Sequence, residues 1–252
     1  MYPEIGYQLS SITPYLQTEE SIRDALQKIA ALGWHYVQLQ GVPREIDNNF
    51  LAEELQKNHL DCVATQEDYA LGFGEHYEAA IRRAVTCGAK YLVFALLPRE
   101  VDSVPALEAF ARKIDEIAHR AQDAGLKFSF HPIGMDFRLL DGVPVYRRLL
   151  ELLPEIGLTF CVNAAFDRAD PAKIFRDFGN WMELVHFKEH IVLPDGKTQM
   201  VPLGEGPHDW RAFWQMCREQ NVKYVFAEQE RWARDAFNCA AASLKYLQEI
   251  EK

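Results

Sequence analysis

Val185-His186-Phe187-Lys188-Glu189, then Pro202-Leu203-Gly204-Glu205-Gly206 with Asp209-Trp210, then Val225-Phe226-Ala227-Glu228-Gln229-Glu230 follow one another in the last third of the chain. The first and third read as buried strands that end abruptly in ionisable groups. An apolar strand ending in a histidine or a carboxylate is how an α/β barrel sets metal-binding and acid/base groups at the mouth of its core.

The same strand pattern recurs along the chain. Apolar runs at 5–10, 36–40, 61–66, 91–96, 127–131, 158–163, 183–188 and 223–228 alternate with segments of helical period. Val104, Leu107, Phe110, Ile114, Ile117 and Ala121 mark one of the longest helices, and Phe237, Ala240, Leu244 and Leu247 mark the last. Thr18 precedes an acidic helix start, Gly33, Gly88 and Gly125 stand just past helical runs, and Pro144 and Pro171 suit first helical turns. Eight such units in 252 residues predict one (β/α)8 TIM-barrel domain spanning 1–252. An open doubly wound sheet would usually carry a glycine-rich phosphate turn after an early strand. Ser10-Ser11-Ile12-Thr13-Pro14 has none.

Side chains alternate along a strand, so residues two apart share a face. Gln38 with Gln40, Ser129 with His131, Cys161 with Asn163, His186 with Lys188, and Phe226 with Glu228 then form an inward polar set at the carboxyl ends of their strands. Burying that many polar groups is costly unless they bind something or one another. Glu228 leaves an apolar strand and is read as acid/base; a surface salt bridge is the bland reading. His186 is read as a site residue, although a lone strand-end histidine can be purely structural. Pro132 holds His131 extended, as a site residue or a capping one. Lys188 either reaches solvent or meets a hydroxyl, phosphate or carbonyl oxygen. The Gly204-Glu205-Gly206 turn is expected to fold over the barrel mouth, with Asp209 equally a helix cap. Trp34, Phe73, Phe137, Phe166 and Trp232 are candidates to wall a sugar pocket.

The formal charge of -10 disfavours phosphodiester backbones, so no nucleic-acid partner is expected. No apolar run approaches a membrane span, and Met1-Tyr2-Pro3-Glu4 shows no basic-then-apolar leader. Five scattered cysteines without a CxxC pair predict reduced thiols and a cytoplasmic protein.

The order of these motifs resembles the xylose isomerase-like sugar isomerase/epimerase family, whose members carry a "HxKD" strand, a "P(x)GxG…DW" loop and a final "EQD" strand. Phe130-His131-Pro132-Ile133-Gly134-Met135-Asp136-Phe137 stands where the family has "YHNHxxEF". Gly157-Leu158-Thr159-Phe160-Cys161, with Asp170-Pro171 later, stands for "GLxLDxxW…GxDP". The resemblance implies a sugar or sugar-phosphate isomerase or epimerase that moves a proton beside a carbonyl with help from one divalent ion (zinc, manganese, magnesium or cobalt) and no organic cofactor. His131, Cys161, His186 and Glu228 take the ligand places. Glu228, His186, Lys188 and Asp136 are the catalytic candidates; Gln8, Gln38, Gln66, Asn163, Glu205 and Trp34 are the substrate-binding ones. Three departures stand out: Cys161 for the strand-six Asp, Gln38 for the strand-two acid, and Asp136 for a Glu. Cys161 favours zinc if a metal is kept. A dehydratase of the same fold (inosose or 3-dehydroshikimate type) and a metal-free, non-catalytic sugar-binding barrel are the alternatives. An apurinic endonuclease, needing a histidine-rich zinc cluster and basic loops, does not suit 8 histidines on an acidic chain. Relatives suggest a homodimer or homotetramer.

Overall fold

The structure, a computed structural model, describes residues 2–166 and 168–252; Met1, at the head of the Met1-Tyr2-Pro3-Glu4 stretch, and Asp167 lie outside the described residues. Eight parallel strands close into a barrel: β1 (Glu4–Gln8), β2 (Tyr36–Leu39), β3 (Asp61–Asp68), β4 (Tyr91–Ala95), β5 (Lys127–His131), β6 (Gly157–Cys161), β7 (Met182–Phe187) and β8 (Tyr224–Ala227). Each bonds to the next, and β8 returns to β1 through pairs such as Gly6 with Phe226. Helices lie between successive strands, among them α1 (Glu19–Ala31), α2 (Asn48–Lys57), α3 (Phe73–Thr86) and α4 (Val104–Asp123). The expected (β/α)8 barrel is what the chain forms.

Local chemistry starts the helices where the sequence predicts. Thr18 Oγ1 accepts the Ser21 N–H at the head of α1, and Pro171 opens the helix Pro171–Phe178. In α4, Leu107, Phe110, Ile114, Ile117 and Ala121 are all buried, which is the stripe their spacing dictates.

Two apolar regions result. The larger lies between helices and strands and includes Trp34, Phe128, Phe160, Phe187 and Trp210. The smaller plugs the amino-terminal half of the lumen with Tyr36, Tyr91, Leu184, Tyr224 and Phe226. Tyr91 on β4 and Tyr224 on β8 are not sheet neighbours, yet their rings lie 6.4 Å apart, so they meet across the lumen. Phe226 lies over Gly6, where any Cβ would come within 2.5 Å of its ring. Above this plug the inward positions turn polar.

Three strand ends differ from expectation by two residues. β1 stops at Gln8 because Leu9–Tyr15 turns into a 3-10 helix, with Thr13 Oγ1 bonding back to the Ser10 carbonyl at 2.9 Å. β6 stops at Cys161, and Val162–Ala165 forms a helical turn. β3 runs two residues further than predicted, because Glu67 and Asp68 still pair with Phe94 and Ala95. No helix among the described residues is long and apolar enough to cross a membrane.

Candidate active site

Lys188 and Glu228 each stand one residue past the end of β7 and β8, strands held in register by the Phe187–Ala227 pair. The two side chains therefore emerge together. Lys188 Nζ lies 3.1 Å from Glu228 Oε2 and 3.1 Å from Glu230 Oε2. Ser10 Oγ donates to Glu228 Oε1 at 3.2 Å, and His186 Nδ1 lies 3.4 Å from Glu228 Oε2. Burial works against ionising Glu228, but Lys188 and His186 outweigh it and hold the carboxyl well below the usual carboxylate range. Burial likewise opposes the Lys188 charge, and Glu228 outweighs it, so the ammonium is held well above the usual lysine range. The result is an ion pair in which each group holds the other in its charged form.

Beneath it, a hydrogen-bonded chain spans the lumen. His186 Nε2 donates to Gln38 Oε1 at 2.8 Å, and Gln38 Nε2 donates to Gln66 Oε1 at 2.8 Å. β2 and β7 are not neighbours, so this chain exists only because the barrel closes. It fixes the His186 ring as the floor of the site.

His131, at the end of β5, packs its ring 4.7 Å from that of His186. Both of its nitrogens are buried without a hydrogen-bond partner among the described residues. Burial, with His186 beside it, pushes its pKa well down, so the imidazole is neutral. His131, Cys161, Asn163, Lys188 and Glu228 line one cavity of about 230 Å³, together with Gln40, Gln66, Asp68 and Glu230. This opens beside a groove of about 570 Å³ that shares Gln40, Gln66, Asp68 and Glu230 and runs along the loops after β1 and β2.

Asp68 is the residue the sequence reading missed. Burial raises its pKa, and Glu230 and Glu228 raise it further, leaving a carboxylate at the cavity with more affinity for a proton than usual. The signal was present: Asp68 lies two residues beyond Gln66 and shares its face once β3 is allowed its full length. Glu230 follows Glu228 by the same period.

Several expected site residues are placed elsewhere. Gln38 lies under the cavity, where it positions His186 and Gln66. Gln8 is fully buried, and its Nε2 donates to Gln40 Oε1 at 3.1 Å, so it supports a lining residue instead of lining the cavity itself. Trp34 is core, with its ring 4.9 Å from that of Tyr7, because its place just before β2 faces the helices. Asp136 caps its own 3-10 turn, accepting the Ile133 N–H at 2.9 Å, and lines no part of the cavity. Glu205 is exposed and ion-paired to Arg234, while Gly204 packs on Tyr246; the turn lies along the last helix, Ala236–Ile250, and not over the mouth. Asp209 caps the helix Trp210–Glu219. Asn163 reaches the cavity from the helical turn after β6, where its Nδ2 meets His190 Nδ1 at 2.6 Å.

The four residues in the ligand places do not assemble a donor set for a divalent ion. Among the described residues no group of three or more His, Cys, Asp or Glu is placed to hold one. His186 has one nitrogen committed to Gln38, Glu228 already carries an ammonium, and burial pushes the Cys161 thiol up to about 11. Protein sites for catalytic zinc need about three such ligands.

The chain matches the sequence model for the xylose isomerase-like TIM barrel over residues 26–250. A sugar phosphate isomerase/epimerase from Parabacteroides distasonis is similar in structure, with a TM-score of 0.83 at 15% identity over 100% of this chain and 96% of that one. L-ribulose 3-epimerase gives a TM-score of 0.79 at 14% identity over 99% and 94% of the two chains. A probable 3-DHS dehydratase from Bacillus anthracis gives 0.73 at 16% identity over 97% and 98%. At such identities these likenesses show the fold. No curated protein matches the chain in sequence. The closed barrel, the polar rim at its carboxyl end and the match over nearly the whole length agree: the chain belongs to the xylose isomerase-like TIM barrel family.

Proposed function

We propose that the barrel-mouth cavity binds a small sugar or sugar phosphate and moves a proton beside its carbonyl, as an isomerase or epimerase does. The observation that carries this reading is His131: a neutral imidazole with both nitrogens unpartnered among the described residues, in the same cavity as the Lys188–Glu228 pair. Such a group needs a ligand to satisfy it. A hydroxyl-rich molecule offers donors and acceptors to both nitrogens, and Asn163, Gln40 and Gln66 add amide partners around it.

The chemistry follows from the charges. Lys188, held charged by Glu228, donates to the carbonyl oxygen and steadies the negative charge that grows there. Asp68, the cavity carboxylate with a raised pKa, takes the proton from the adjacent carbon, and the electron pair moves to the oxygen to give an enediolate. Protonation of that carbon on its opposite face gives the epimer; delivery of the proton to the former carbonyl carbon, with a proton passing between the two oxygens, gives the isomer. Glu228, a first choice for proton transfer, instead keeps the ammonium in place, with His186 Nδ1 beside it, since a carboxyl held so far below its usual range is a poor base. No step is routed through a metal, because the donor set does not fit one.

Deuterium exchange tests the reading whichever sugar is the substrate. Incubated in D2O with a panel of aldoses, ketoses and their phosphates, the protein should introduce deuterium at a carbon next to the carbonyl of at least one compound. Lys188→Met and Asp68→Asn should each remove that exchange. Binding with no exchange in any compound would make the chain a sugar-binding barrel, and loss of water would make it a dehydratase.

A further inference from the structure

We infer that the Lys188 ammonium takes the place of the divalent ion in this barrel, so that the positive charge at the reaction centre is built into the chain and no metal is bound there. Four separate features of the rim agree on this. The strand-six position that the family resemblance assigns to an acid is Cys161, a buried thiol that faces the cavity. The strand-two position is Gln38, whose amide takes up His186 Nε2 at 2.8 Å and turns that nitrogen away from any ion. Glu228, the remaining acid, has Lys188 Nζ at 3.1 Å, so its charge is already neutralised. Glu230, two residues on, holds the same ammonium at 3.1 Å from its other side.

The substitutions are mutually consistent. Losing two acids removes anionic donors from the ligand places, and Glu228, the acid left there, cannot alone replace the water shell of a divalent ion. A single ammonium needs less counter-charge, and Glu228 and Glu230 supply it. Bound to Glu228, a divalent ion would also lie within a few ångströms of Lys188, and like charges that close repel strongly in a buried site. Among the described residues neither nitrogen of His131 has a hydrogen-bond partner, and a lone neutral imidazole does not hold an ion. The role given to the charge rests on the proton-transfer reading. Ion binding is measured with no substrate present, so either can fail without the other.

The test uses the full chain, dialysed against EDTA and titrated with MnCl2 and with ZnCl2 by calorimetry, with thermal unfolding as a second readout. The unmodified protein is expected to retain no stoichiometric metal and to show no metal-dependent rise in Tm. Restoring the acid and removing the ammonium, as Cys161→Asp with Lys188→Gln, should create a site that binds manganese at least about tenfold tighter than the unmodified protein and raises Tm when it fills. Should the double variant not fold, either single substitution makes the same comparison in smaller measure. About one tightly held ion per chain in the unmodified protein would overturn the inference. So would a failure of every folded variant to gain manganese affinity, since Lys188 would then not be what keeps the ion out.

Discussion

Glu189 and Glu228 are buried carboxylates at the ends of neighbouring strands, and the fold holds them in opposite ways. Glu189 follows Lys188 directly but faces away from the lumen. Its Oε2 accepts the Trp210 indole N–H at 2.6 Å, and its Oε1 accepts the His190 backbone N–H at 3.0 Å and meets His208 Nδ1. It has no exposed surface, and its carboxyl lies so close to Gly206 that a Cβ there would come within 2.4 Å. Glu228 instead looks into a cavity, where its main partner is Lys188 and where His131 has no hydrogen-bond partner among the described residues. One carboxylate is saturated by three hydrogen-bond donors; the other is balanced by charge and left beside open space. The first arrangement ties the hairpin Glu189–Val192 and Thr198–Val201 and the following loop to the barrel. The second is what a reaction centre requires.

The contrast breaks most directly at Glu189. Glu189→Ala leaves the Trp210 N–H and His208 buried without their acceptor and should destabilise the protein by about 3–5 kcal/mol in urea unfolding. A loss below about 1 kcal/mol would mean that saturation is not what holds the loop. Next in size, Lys188→Met should lower exchange or turnover by about 10²–10³-fold, the usual cost of losing one donor to a developing oxyanion. An unchanged rate would remove the reaction centre from this pair.

Asp136 sharpens the comparison as a third buried carboxylate, held by a backbone N–H. Burial raises its pKa from 3.8 to about 6, the Ile133 N–H opposing it only in part. Since the folded value lies above the unfolded one, the stability it contributes is fully present below pH 3.8 and is lost as pH rises through 6. Over that window the native protein should lose about 3 kcal/mol relative to Asp136→Asn, measured as ΔG of unfolding at a series of pH values. The smallest effect is expected at Glu205. Its pair with Arg234 is half exposed, so Glu205→Ala should change stability by less than about 1 kcal/mol and leave exchange untouched.

Much of the barrel was legible because its signals are local. The stripe of α4, the Thr18 cap and the eight apolar runs each lie within one element, and each predicts its own burial. The strand ends were less legible. β1 and β6 stop early where side-chain bonds and a helical turn compete with the ladder, and β3 runs on because β4 is there to pair with it. That last difference concealed Asp68. The Gly204-Glu205-Gly206 turn was misplaced for a related reason: its position is set by Tyr246 and Glu189, residues distant from it in sequence.

By itself the sequence determined that eight strands would deliver polar side chains to one rim, because alternation along a strand is fixed by the pleat of the backbone. It also determined that Lys188 and Glu228 would stand at adjacent strand ends. Only the closed barrel decided which of those groups are consumed by one another and which are left free. Gln38 and His186 meet across the lumen, Glu189 turns outward into Trp210 and His208, and among the described residues neither nitrogen of His131 is bonded. Hydrogen bonds and ion pairs act over about 3 Å, and contacts that short between distant segments are set by closure of the fold and not by spacing along the chain.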